Sequence, residues 1–199
     1  MFRVYLSETR RVGTRLAHNT EIVSAPGTSG GLIRDFIRPA VRAIPFGIAE
    51  RVGLCRVSLA PGDEESGVAS RWTAAEGRLD ISIATLGRRH HDIAMELLVC
   101  VGQALWEELH EAERRAWWLL LDVEIQSDFK GEIDEQALRE KSALLRGRVS
   151  ARSSRRLERY GQAAFAGTGL STSILCGMTC MSAKAPITCR RRVLSADSG

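Results

Sequence analysis

Glu96, Cys100, Gln103 and Glu107 follow one another at steps of four, three and four residues. On a helix, such steps stack side chains along one line. At about 100° per residue all of them fall within about 40° of Glu96, and so do Asp92 and His110. The rest of the circumference is filled by Ile93, Met95, Leu97, Leu98, Val99, Val101, Ala104, Leu105, Trp106 and Leu109. The spacing therefore predicts a helix from Asp92 to His110 that is apolar almost all round and carries a thin polar seam. An ordinary surface helix has a wider polar face. A seam of this kind faces solvent, lines a cleft, or is satisfied inside the protein, because buried polar groups need partners. In a cleft, Glu96 and Glu107 would be candidate acid–base groups and Cys100 a candidate nucleophile beside Gln103. That combination suits a hydrolase with an unconventional site, provided a base stands near the thiol.

Other chemistry-bearing residues are less concentrated. His90 and His91 are neighbours in sequence, so they point apart, and they adjoin Arg88 and Arg89, which oppose a bound cation. No pair of candidate ligands has zinc spacing, so neither a metal nor another cofactor is expected. Arg146, Arg148, Arg152, Arg155, Arg156 and Arg159 form a cluster in which Glu158 is the one acid. Arg148, Arg152, Arg155, Arg156 and Arg159 share one helical side. They are either a solvated face or an anion patch for nucleic acid, with only Tyr160 nearby as a stacking group.

These residues need a scaffold. Phe2, Val4 and Leu6 alternate as in a short strand, and 24–31 is loop by composition. Leu32, Phe36, Ile37, Val41 and Ile44 recur at helical spacing and predict a first helix near 31–43, interrupted by Pro39. Short strands are expected at 56–59, 68–73 and 79–84, forming a small antiparallel sheet. Helices near 112–127, 134–146 and 150–166 follow. A helix, then strands, then a mainly helical C-terminal half argue for the α+β class. The 199 residues are 44% apolar and 26% charged, enough for one cored domain. No apolar run reaches the length of a membrane span, and the odd count of five cysteines suits a reducing cytoplasm.

A strand at 79–84, a short link and an apolar helix containing Val99-Cys-Val-Gly-Gln-Ala-Leu-Trp106 resemble the core of the zincins, metallopeptidases whose helix carries H-E-x-x-H. The resemblance spans about residues 79–110. In that family the two histidines bind zinc and the glutamate activates a water. Here Val99, Cys100 and Gln103 stand at the three chemical positions, while Val101, Gly102, Ala104 and Leu105 fit the spacer positions. The resemblance implies a degenerate, non-catalytic zincin-like scaffold without zinc. It assigns the role of substrate-holding edge strand to Leu79, Ile81 and Ile83. A peptide or protein partner in the relic groove, or a purely structural role, follows from it.

The sequence divides into an N-terminal segment (1–30), an α+β domain (31–168) and an atypical tail (169–199). The tail carries +3 of the chain's net charge of +4 and holds Cys176, Cys180 and Cys189. Two readings of it stay open: a disordered tail, or the product of a shifted reading frame. Synonymous codons for 170–186 read out of frame permit EYIHSLWHDVHVSEGP, an amphipathic string with the glutamate that the resemblance asks of a later helix.

Overall fold

The structure is a computed structural model, and it describes residues 12–61, 68–127, 134–146 and 154–169. Phe2, Val4 and Leu6, the loop at 62–67, Arg148, Arg152 and the tail beyond 169 lie outside those residues.

Five strands form one sheet in the order β1-β2-β3-β5-β4: β1 (Val12–Arg15), β2 (Thr20–Ser24), β3 (Leu54–Ala60), β4 (Ser70–Ala75) and β5 (Arg78–Ala84). The chain is α+β, but the sheet is mixed. The β2–β3 and β3–β5 pairs run parallel, and only the outer pairs β1–β2 and β4–β5 are antiparallel. Of the strands from which an antiparallel sheet is expected, near 56–59, 68–73 and 79–84, only β4 and β5 pair that way, because β3 meets β5 in parallel and does not pair with its sequence neighbour β4. Thr20–Ser24, within the segment 1–30, lies inside the sheet between β1 and β3.

Local sequence explains the turns. His18 and Asn19 take positive φ values of 54° and 53° between β1 and β2. Glu76 and Gly77, at 51° and 73°, make the two-residue turn from β4 to β5, the backbone hand that matches strand twist. The crossover from β2 to β3 holds a π-type helical run, Leu32–Ile37, continued by α1 (Arg38–Ala43), and then α2 (Phe46–Val52). Pro39 sits at the very start of α1, where a missing N–H is tolerated.

α3 (His90–Glu107) lies across the sheet. It begins two residues before the expected start. It stops at Glu107, and Glu108, Leu109 and His110 form a short link without glycine or proline. α4 (Glu111–Gln126), α5 (Glu135–Arg146) and α6 (Ser154–Ala164) follow, and a π-type run, Phe165–Gly169, continues α6. Alternate residues Cys55, Val57 and Leu59 of β3 and Leu79, Ile81 and Ile83 of β5 pack with Ile22 against Ile93, Leu97, Leu98 and Val101 of α3. A second apolar cluster joins Leu121 of α4, Ala137 of α5 and Tyr160, Ala163 and Ala164 of α6. Trp106, near the end of α3, links the two clusters. Its ring meets Trp118 edge-on at 5.9 Å and lies 5.5 Å from Phe165, spacings that favour aromatic pairs. Arg51 of α2 fastens the α3–α4 link through Glu113 at 2.7 Å and the Glu108 carbonyl at 2.6 Å.

Gly102 marks the tightest approach to α3. A Cβ there would stand 2.8 Å from the Ala166 Cα, so backbone would have to move. The substitution Gly102→Ala supplies a better helix former by about 1 kcal/mol. The overlap is nevertheless expected to win and to lower stability by about 1–3 kcal/mol, read as a lower urea midpoint at unchanged slope. A midpoint that rises would show that 165–169 does not press on α3.

Candidate functional site

The seam of α3 lies under the edge of the sheet, and its upper part is satisfied internally. β4 turns Ser70 and Trp72 toward α3, since the two residues are on one face of the strand. The Ser70 hydroxyl donates to Glu96 Oε2 at 2.8 Å, and the Trp72 indole N–H donates to Gln103 Oε1 at 2.8 Å. Arg88, in the link from β5 to α3, places Nη1 3.7 Å from Glu96 Oε1. A neutral bond of this kind is worth about 1 kcal/mol, and one to a carboxylate about 1.5–3 kcal/mol. The seam thus spends its hydrogen-bonding capacity on β4.

Cys100 lies between these two bonds and is 1% exposed. Burial pushes its thiol up to about 11. The Ser70 hydroxyl pulls the other way, and the Glu96 carboxylate adds to the rise. Cys55 on β3 is also buried, and its thiol is pushed up to about 12 by burial first, then by the charge of Asp80 and by Cys100. A thiol raised so far is almost wholly protonated near neutrality, the reverse of an activated nucleophile. Glu107, lower on the seam, is exposed, and its Oε1 accepts from Gln162 of α6 at 3.4 Å. The structure therefore brings Glu96, Cys100 and Gln103 together and leaves Glu107 apart on the surface.

The donor set does not fit zinc. Val99 offers no donor, Cys100 is a protonated buried thiol, and the Gln103 oxygen already accepts from Trp72. Among the described residues no group of three His, Cys, Asp or Glu side chains could hold a metal ion. His90 stacks edge-on against Phe36 at 5.3 Å, and His91 approaches Asp92 at 3.7 Å. His110 begins α4 and donates its backbone N–H to Glu113 at 2.8 Å.

The edge-strand assignment needs correction. Leu79, Ile81 and Ile83 belong to β5, which is paired on both sides, and their side chains are 1% exposed in the core. The edge is β4. Its residues opposite Ser82 and Asp80 exchange the ladder bonds, continuing the pattern set where the Ala84 N–H donates to the Ala69 carbonyl. In an antiparallel pair such bonding alternates. The N–H and C=O groups of Ser70, Trp72 and Ala74 therefore point away from β5. Arg71, Thr73 and Ala74 are exposed. On the sheet face turned from α3, Val23, Ser58, Arg71, Thr73, Asp80 and Ser82 line a groove of about 430 Å³ that borders this edge.

The sequence reading missed Ser70, Trp72 and Arg88 as partners of the seam. The signal available was modest: two hydrogen-bond donors two residues apart on a predicted strand. Of the arginine cluster, Arg155, Arg156 and Arg159 are exposed on α6, and Arg146 donates to the Ser142 carbonyl at 3.1 Å. Among the described residues no helix is long and apolar enough to cross a membrane.

The buried thiols set a pH dependence with a definite sign. Between pH 9 and about 11 the unfolded chain sheds thiol protons that the folded chain keeps. Stability is thus full below pH 9 and declines as pH climbs. The urea midpoint is expected to fall over that window, less so in Cys100→Ala than in the parent. At pH 8, alkylation of Cys55 and Cys100, followed by mass spectrometry, should be on the order of 100-fold slower than in urea. Equal rates would mean that α3 leaves these thiols open.

Compared with known proteins, the chain matches no family model, no curated protein and no solved structure.

Proposed function

We propose that this protein is a non-catalytic, zincin-like scaffold that binds an extended peptide segment of a partner along β4. The observation that carries the reading is the division of labour on β4. One face closes the α3 seam through Ser70 and Trp72, while the outward backbone groups of Ser70, Trp72 and Ala74 face an edge that no described strand occupies. An extended segment gains main-chain hydrogen bonds at such an edge and gains selectivity from alternate side chains. Arg71 and Thr73 stand beside the incoming strand on the far face of the sheet, at the border of the groove that reaches Asp80 and Ser82. Beneath the strand, Val99 and Gln103 stand where a metallopeptidase has its two zinc ligands and Cys100 stands where it has its general base, so nothing there activates water. The bound segment would be held, not cut.

The test uses the full chain. Panning a random heptapeptide library should select segments that bind with micromolar affinity and arrive uncleaved after long incubation. Ala74→Pro removes an outward N–H but no ladder bond, a change that sheet edges tolerate. It should weaken selected peptides by about tenfold or more, as should N-methylation of alternate peptide bonds in the ligand. Peptides indifferent to both changes would sink the edge reading. Metal analysis of the purified chain is a separate check: one tightly held zinc per chain would overturn the non-catalytic part.

A further inference from the structure

α4 has two apolar faces, and only one is used. Trp117, Trp118, Leu121 and Ile125 pack inward against α3, α6 and the 165–169 run. On the opposite side, Ala112, Ala116, Leu119, Leu120 and Val123 fall within an arc of about 100°. All of them are exposed, and Leu119, Leu120 and Val123 are 66%, 58% and 68% exposed. Together they present a continuous apolar strip on the order of 300–400 Å², comparable with the largest apolar patch of an ordinary monomer, which is often functional.

We infer that this strip is the contact between two copies of the chain, packed antiparallel through α4 about a twofold axis near Leu119. Three features favour a second copy. First, the strip tapers, with alanines in its N-terminal half and leucines and valine in its C-terminal half. An antiparallel mate sets Val123 over the partner copy's Ala116, so bulk meets a gap on each side of the axis. Second, Arg115 and Asp122 border the same edge of the strip. A twofold axis of this kind keeps each border on its own side, so Arg115 of one copy comes level, within about one residue rise of 1.5 Å, with Asp122 of the other, twice over. Arg115 is 72% exposed and held by Glu111 at 2.7 Å, and the Asp122 carboxylate already accepts from Gln126 at 2.7 Å; with five guanidinium N–H donors and two carboxylate oxygens, the cross-pair adds to these bonds and does not fill empty groups. Third, the other border carries Glu113 and Glu124, which would meet as like charges. Each already has its own cation, Arg51 at 2.7 Å and Lys141 at 2.6 Å, so that side brings no unanswered repulsion. The two strips together amount to only about 600–800 Å², short of the roughly 1,000 Å² a stable interface clears, so the paired border charges must add to the contact and the dimer is a weak one, with a Kd on the order of 10 µM or higher.

Sedimentation velocity of the full chain from about 1 to 200 µM reads the outcome. The expected result is a monomer that turns into a dimer over this range. Leu119→Glu should abolish the shift while leaving the circular dichroism unchanged, since the side chain is exposed. Arg115→Asp and Asp122→Arg should each weaken the dimer about threefold to tenfold, and the two together should restore it. A chain that stays monomeric throughout overturns the inference, whether α4 is then covered by residues 170–199 or by a foreign protein. A dimer indifferent to Leu119→Glu, or weakened by both charge changes without rescue, overturns it as well. None of these substitutions touches β4, so peptide binding there stands or falls separately.

Discussion

A helix buried on nearly every side cannot leave a polar seam unanswered, and this constraint organises the molecule. α3 places Ile93, Leu97, Leu98 and Val101 in the sheet core and Trp106 in the aromatic contacts with Trp118 and Phe165. Glu96 and Gln103 lie on the remaining line. Without the Ser70 hydroxyl and the Trp72 indole, an amide would sit at the sheet's border with no partner and a carboxylate with only Arg88 nearby. A buried loss of this kind costs about 1–3 kcal/mol; with Glu96 31% exposed and Gln103 half-buried, water answers part of it, and the cost here lies toward the low end of that range. β4 is thus both an outer strand and the lid of the seam. Its antiparallel course, set by the Glu76–Gly77 turn, is what turns those two donors inward.

The same closure decides the chemistry. Catalysis at this line would need charged or polarisable groups free to meet a substrate. Here each group that has a partner has spent it on structure, and the one nucleophilic atom, the Cys100 sulfur, is driven toward its neutral form by burial. What stays available is backbone. The edge of β4 is a line of donors and acceptors that natural sheets usually blunt or occupy, and Arg71 and Thr73 at its side do little to blunt it. A surface whose side-chain chemistry is locked while its main chain is open is suited to recognition by pairing.

Much of α3 was legible because periodicity is a local property: Ile93 to Trp106 leave only one narrow line for polar groups, and that line proved to be the seam. Its ends were less so. Leu109 prolongs the apolar pattern past the true end at Glu107, since periodicity registers which side faces inward and not where hydrogen bonding stops. In β5, the alternation of Leu79, Ile81 and Ile83 with Asp80 and Ser82 announced one buried face correctly. It was silent on whether β5 was an edge, because neighbours on either side come from residues distant in sequence. The parallel pairing of β2 with β3 spans the crossover 25–53 and leaves no local trace. The short β1 carries no alternation of its own. Ser70 and Trp72 were visible as residues, but their partners one layer below were not.

α4 extends the logic of α3 in the opposite direction. The rod through the core has one polar line and must find partners for it. The helix that follows has one apolar line too many. Its inner side is pinned by the Trp118–Trp106 contact and by the Trp117 indole N–H, which donates to the Gly161 carbonyl at 3.0 Å. Its rotation about its own axis is therefore fixed, and Leu119, Leu120 and Val123 cannot be turned inward without giving up both tryptophans. Exposed aliphatic surface held rigidly in this way lowers the ordering cost of association, because the backbone and the flanking charges are already placed. The display that marks the α4 strip thus comes from the aromatic junction at Trp106, as the closure of the α3 seam comes from β4.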